Sequence, residues 1–162
     1  MAPQKFRTRT KSTDAAAVEQ VVRATGVFNA SEIAISRELV EENLAKGDAA
    51  SGYRFIIADG ADGIEGYTCY GPIAGTEGRY ELYWIAVSPN ARGRGLAAEL
   101  VRATEYAVRN LGGVWLFAET STREDYGPAR RFYVSHGYRQ LAEVPDWHAD
   151  GDGLAIYGKK LK

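Results

Sequence analysis

The segment Ile85-Ala-Val-Ser-Pro-Asn-Ala-Arg-Gly-Arg-Gly-Leu-Ala-Ala constrains this chain more than any other stretch. An apolar run ends at Val87, Ser88-Pro89 breaks it, and two Arg-Gly pairs open directly into a helical pattern. That pattern covers residues 94–111, with Leu96, Leu100, Val101, Ala107 and Val108 recurring at i, i+3 and i+4 spacings before Gly112-Gly113 ends it. A strand delivered through a glycine-rich turn into a helix start gathers backbone N–H groups whose partial positive charge favours an anion. Glycines remove the Cβ atoms that would hold the anion off, and Arg92 and Arg94 add charge at the rim. The segment reads as a cradle for a phosphate or pyrophosphate. The plainer reading is a solvated strand-to-helix connection. It leaves unexplained why two glycines and two arginines crowd a helix start that Ser or Asp would cap.

A dinucleotide fingerprint competes, because Gly93-x-Gly95-x-x-Ala98 fits it and Glu119 lies about 20 residues on. Context argues against it. Residues 88–92 separate the first glycine from the strand, and two antiparallel strands precede it where a run of βαβ units is required.

The flanking elements follow from periodicity. Residues 5–10 read as a short strand, and residues 14–23 as a helix with Ala17, Val18, Val21 and Val22 on one face. Asn29 followed by Glu32 is a capping-box pattern that opens a second helix through Leu39, Val40 and Leu44, stopped at Gly47. Residues 53–58, 66–70 and 79–87 are rich in aromatic and β-branched residues and joined by short turns, which predicts antiparallel neighbours. Residues 114–118 are almost wholly apolar, as in a buried parallel strand. A helix over 126–136 and strands over 138–144 and 154–160 complete the order, which is mixed α+β rather than a regular βαβ repeat. No linker divides the chain, so residues 1–162 are expected to form one domain.

Composition excludes several classes. A formal net charge of −1 gives no purchase on polyanions, so no nucleic-acid partner is expected. The apolar runs are too short to span a bilayer, and the basic N-terminal stretch lacks the apolar core of a secretory signal. One cysteine, Cys69, and two histidines, His136 and His148, make neither a disulfide framework nor an ordinary zinc cage, so no metal is expected. The expected compartment is the cytoplasm.

On these residues the chain resembles the GNAT acetyltransferases, whose signature is Arg or Gln, two residues, Gly, one residue, then Gly or Ala. Arg92-Gly-Arg-Gly95-Leu-Ala97 matches it, Ile85-Ala-Val87-x-Pro89 matches the family's central strand, and Ala129-x-x-Phe132-Tyr133-x-x-x-Gly137-Tyr138 resembles its second block. The order of elements agrees from about residue 7 to residue 160. Gly66-Tyr-Thr-Cys-Tyr-Gly71, Glu119-Thr-Ser and Asp146-Trp-His-x-x-Gly-Asp152 are similar to one bacterial subgroup, some members of which are described as amino-acid acetyltransferases.

The resemblance implies a mixed, mostly antiparallel central sheet with helices on both faces, splayed between the fourth and fifth strands. It implies acetyl-CoA as co-substrate. The backbone of Ile85, Ala86 and Val87 would meet the pantetheine arm, Val87 N–H would face the thioester oxygen, and Arg92, Gly93, Arg94, Gly95, Leu96, Ala97 and Ala98 would hold the pyrophosphate. An acceptor amine must be neutral to attack, and its free pKa of about 8 to 10.4 calls for a base. Glu81, six residues before Val87, is the first candidate and Glu119 the second; an exposed strand carboxylate and a capping residue are their respective alternatives. Tyr133 occupies the family's general-acid position, with a core tyrosine as the alternative. Tyr126 stands where many members carry a cofactor-contacting Asn, and Arg130 reads equally as a phosphate ligand or a solvated residue.

Phe28, Glu32, Tyr83 and Trp147 are the acceptor-binding candidates, with Tyr53, Tyr70 and Asp146 as further members of an aromatic, acidic wall suited to a small cationic amine. His136 and His148 read as surface residues and Cys69 as a small buried hydrophobe. The expected function is transfer of acetyl from acetyl-CoA directly to a primary amine of a small molecule such as an amino acid, with no covalent enzyme intermediate. A non-catalytic acyl-CoA-binding sensor or interaction module and a nicotinamide-dependent oxidoreductase are the alternatives. An exposed strand edge could support a homodimer.

Overall fold

The structure, a computed structural model, describes residues 6–162. The elements are β1 (Phe6–Arg7), α1 (Asp14–Thr25), α2 (Ala30–Ser51), β2 (Arg54–Gly60), β3 (Gly63–Pro72), β4 (Arg79–Val87), α3 (Leu96–Asn110), β5 (Trp115–Ser121), α4 (Gly127–Ser135), β6 (Arg139–Ala149) and β7 (Asp152–Lys160). The strands form one mostly antiparallel sheet in the order β1-β2-β3-β4-β5-β7-β6. The parallel pair is β4–β5, matched from Arg79 opposite Trp115 to Leu82 opposite Ala118. Beyond that point β4 runs on to Val87 without adding to the register.

The chain forms two compact units. One comprises the residues up to Gly71 together with Trp84–Tyr106. Its two-residue alternation sorts β2 and β3 into faces: Phe55 opposite Cys69 and Ile57 opposite Tyr67 share one, Ile56 opposite Thr68 the other. All six are buried. Helix α3 packs on the Thr68 face. Thr68 bonds Thr104 of α3 at 2.8 Å, and the missing side chain of Gly66 lets Leu100 and Leu96 approach to 3.1 and 3.3 Å of where a Cβ would stand.

Sequence and structure differ at three boundaries in this unit. The first strand spans only Phe6–Arg7, because Arg7 turns its guanidinium onto Asp14 and Asp59 and Asp14 accepts the Lys11 N–H, which swings the chain into α1. Position 5 of the expected strand lies outside the described residues. Helix α2 does break at Gly47, where φ is 80° and ψ 175°, but helical turns resume as far as Ser51. Asn43 holds the break: it donates to Asp48 at 2.8 Å and to the Tyr53 carbonyl at 2.7 Å, and accepts from Thr10 at 2.6 Å. Helix α3 starts at Leu96 rather than Arg94, because Gly95 is left-handed at φ 76°.

The second unit comprises Pro72–Tyr83 and Ala107–Lys162. Its centre is β5, where Leu116 and Ala118 are completely buried. This strand runs to Ser121, three residues past the expected end, because β7 pairs with its full length from Trp115–Lys160 to Ser121–Leu154. The border strand β6 is also longer than expected, and all eleven of its residues are exposed. Its pairing with β7 slips at Leu141, an extra residue between Gln140 and Ala142, and again across residues 145–148. Among the described residues, no helix is long and apolar enough to cross a membrane.

Candidate active site

In the first unit, β4 ends at Val87 and Ser88 N–H donates to the Glu65 carbonyl at 2.7 Å. A single 3-10 turn, Pro89–Ala91, then leads through Arg92 into the glycines. Gly93 and Gly95 have φ of 79° and 76°, which a residue with a Cβ adopts only under strain. A Cβ on either would meet nothing within 4 Å, so backbone conformation, not crowding from within, demands glycine there. Among the described residues, no backbone carbonyl accepts the N–H of Gly93, Arg94 or Gly95. Residues 92–95 are exposed. Free donors, open space and a helix start fit a diphosphate. Arg92 is exposed, whereas Arg94 is drawn to Glu65 at 3.2 Å. Leu96 is buried against the core, Ala97 and Ala98 are half-buried, and on β4 Ala86 is buried between the half-buried Ile85 and Val87.

In the second unit, Glu81 lies opposite Phe117 across the parallel ladder. Glu119 is two residues further along β5, so the two carboxylates share one face of the sheet, a diagonal step apart. Glu81 is half-buried and Glu119 exposed. Burial, reinforced by the charge of Glu119, pushes the Glu81 carboxyl up to about 7. Trp115 and Phe117 stack on the same face with centroids 5.6 Å apart.

Tyr133 stands on the other face. Its ring packs on Tyr157 at 5.8 Å and Tyr138 at 5.6 Å, and Tyr157 pairs with Ala118, whose side is opposite that of Phe117 and Glu119. Burial pushes the Tyr133 phenol up to about 12. Tyr126 precedes α4 with the Arg123 guanidinium 5.5 Å above its ring. Arg130 is half-buried, and its Nη1 donates to the carbonyls of Ser121 and Arg123, both at 2.7 Å.

Of the acceptor candidates, Phe28 and Glu32 belong to the first unit and Tyr83 and Trp147 to the second. Phe28 packs on Trp84 at 4.9 Å. Glu32 is engaged in the cap of α2, its Oε1 accepting from Asn29 Nδ2 at 2.8 Å while its N–H donates to Asn29 Oδ1 at 2.8 Å. Tyr83 Oη donates to the Pro72 carbonyl at 3.4 Å. Trp147 projects from the irregular part of β6, 61% exposed. Tyr53 is half-buried and Tyr70 buried. Asp146 accepts the Gly151 N–H at 2.8 Å within the same hairpin. His136 is half-buried with Nδ1 2.8 Å from the Phe132 carbonyl, His148 is exposed, and Cys69 is buried. No cluster of potential metal ligands occurs among the described residues.

Two neighbours escaped the sequence reading. Phe117 is set beside Glu81 by the parallel register, which composition does not encode. Trp84 is set against Phe28 by a loop returning from a helix over fifty residues away in sequence.

The chain matches the acetyltransferase (GNAT) domain family over residues 51–140. Among solved structures, it is similar to an acetyltransferase assigned to the GNAT family from Desulfovibrio desulfuricans, at 41% identity and a TM-score of 0.95, covering 98% of this chain and 99% of that one. It shares its fold with an aminoglycoside 6'-N-acetyltransferase complexed with coenzyme A (17% identity, TM-score 0.76, 98% and 97% covered). The same holds for the ribosomal-protein-S18-alanine N-acetyltransferase of Escherichia coli (14% identity, TM-score 0.76, 98% and 94% covered). No curated protein matches the sequence.

Proposed function

The chain belongs to the GNAT family of acetyltransferases, and on that premise we propose that it moves an acetyl group from acetyl-CoA directly to the primary amine of a small molecule, such as an amino acid. Acetyl-CoA supplies an acyl group already activated as a thioester. The amides of Gly93–Gly95 and the start of α3 would hold its diphosphate, with the exposed Arg92 as a counter-charge. The fold-mate that binds coenzyme A supports this assignment.

The observation that carries the reading is Glu81. A carboxyl poised at about 7 takes a proton from an ammonium far more readily at neutral pH than an ordinary glutamate does. Holding such a group half-buried beside a second carboxylate costs stability, which a passive CoA-binding module has no reason to bear. Tyr133 supplies the complementary function, a proton held ready for the departing sulfur. Against a thiol of pKa about 8.5, a phenol at about 12 gives up that proton at a cost of about 5 kcal/mol. A thiolate in an equally dry setting is raised too, which narrows the gap.

A screen of amines with acetyl-CoA, read by thiol release, tests the proposal. Turnover of free amino acids but not of peptides is the expected result, and no release with any amine would overturn it. Tyr133→Phe is expected to bind acetyl-CoA normally by calorimetry and to turn over about tenfold more slowly.

A further inference from the structure

We propose that Arg130 is a positioning residue, which sets α4 and its Tyr133 against the end of β5; the inference rests on the acetyl-transfer reading above. Tyr126, Arg130 and Tyr133 follow one another at i, i+4 and i+7, so they lie along one stripe of α4 and the turn that opens it. Arg130 is the middle member, and it points at main chain. Its Nη1 spans the carbonyls of Ser121 and Arg123, the last residue of β5 and the second residue beyond it. A charged donor on two carbonyls separated by one residue makes strong bonds and fixes the intervening peptides.

The same short segment is tied from its other side. Ser121 Oγ bonds the Asp152 carboxylate and accepts the Arg123 N–H at 3.0 Å. Thr122 exchanges two bonds with Gly153, N–H to carbonyl at 3.0 Å and Gly153 N–H to Oγ1 at 2.8 Å. Asp152 and Gly153 open β7, so the segment between β5 and α4 is anchored to the strand beside it. Arg130 couples that anchored segment to the helix by two charged hydrogen bonds, beside the Arg123–Tyr126 ring contact and the Tyr126 N–H bond to the Arg123 carbonyl at 3.1 Å. Its loss would leave β5 and β7 intact and loosen the first turn of α4, and with it the setting of the Tyr133 ring against Tyr157.

Arg130→Met and Arg130→Lys in the full chain test the inference by three measurements. In Arg130→Met, amide hydrogen exchange across residues 121–127 should quicken while β5 and β7 keep their protection. Affinity for coenzyme A by calorimetry should stay within about twofold, whereas kcat should fall roughly 10- to 100-fold, the scale of a misplacement of about 1 Å. Arg130→Lys should recover most of kcat, because an ammonium can still reach both carbonyls. Loss of coenzyme A affinity with kcat intact would make Arg130 a phosphate ligand and overturn the inference. So would a lowered Tm with exchange at 121–127, affinity and kcat all unchanged. Failure of the wild type to acetylate any amine would sink the acetyl-transfer reading and this inference together, and is distinguished by needing no variant.

Discussion

At the scale of single residues, the chemistry turns on how far a carboxyl can be moved by its surroundings. Glu81 sits at about 7 because burial penalises its charge and Glu119 repels it. If it is the base, log kcat/KM should rise with pH to a plateau with an apparent pKa near 7. Glu81→Gln should abolish that limb and lower kcat/KM by roughly 100-fold or more. Glu119→Gln removes a like charge and should shift the limb to lower pH. The same group leaves a mark on folding. Its folded pKa lies above its unfolded value, so its contribution to stability is present below pH about 4.5 and is lost as pH rises through about 7. Denaturant titrations of Glu81→Gln should show a flatter stability profile across that window. Tyr67 offers a contrast: it is fully buried and its hydroxyl has no hydrogen-bond partner among the described residues. Tyr67→Phe should stabilise the protein by about 1 kcal/mol, as urea unfolding would report. Residue identities were legible in advance, but neither the raised Glu81 carboxyl nor the stranded Tyr67 hydroxyl was. Both depend on which neighbours the fold brings close.

Elements were legible wherever one local signal decided them. The capping pair Asn29 and Glu32 starts α2 where the sequence places it, and Gly95 sets the start of α3 once its left-handed backbone is known. Boundaries decided by distant partners were not legible. The first strand is cut to two residues by an arginine answering carboxylates at positions 14 and 59, and β5 is lengthened by β7, which follows it by some thirty residues. Asn43 is of the same kind, since its three partners come from different segments. Asn43→Ala should cost about 2–3 kcal/mol in urea unfolding, because the Tyr53 carbonyl and Asp48 lose a buried donor together. At the start of α3, Gly95→Ala forces a Cβ into a left-handed conformation. It should cost about 1 kcal/mol and weaken coenzyme A binding measurably by calorimetry.

For the molecule as a whole, the order of strands and helices could be read from periodicity because each element is bounded by its own turn chemistry. The parallel character of β5 was legible in its almost unbroken apolar run, but its register against β4 was not. The far border of the sheet shows what such patterning conceals. Strand β6 presents eleven exposed residues on the last position of the sheet, and its ladder is interrupted at Leu141 and across residues 145–148, where Pro145 lacks an N–H and Asp146 is left-handed at φ 55°. Removing Leu141 and replacing Pro145 with Val would straighten that border, and thioflavin fluorescence on shaking should then rise sooner than for the parent chain. A formal charge of only −1 gives copies of the protein almost no long-range repulsion. Any protection of this border against fibre growth in a crowded solution therefore falls to two small irregularities in a single stretch of backbone, which deny an incoming chain a straight template on which to zip.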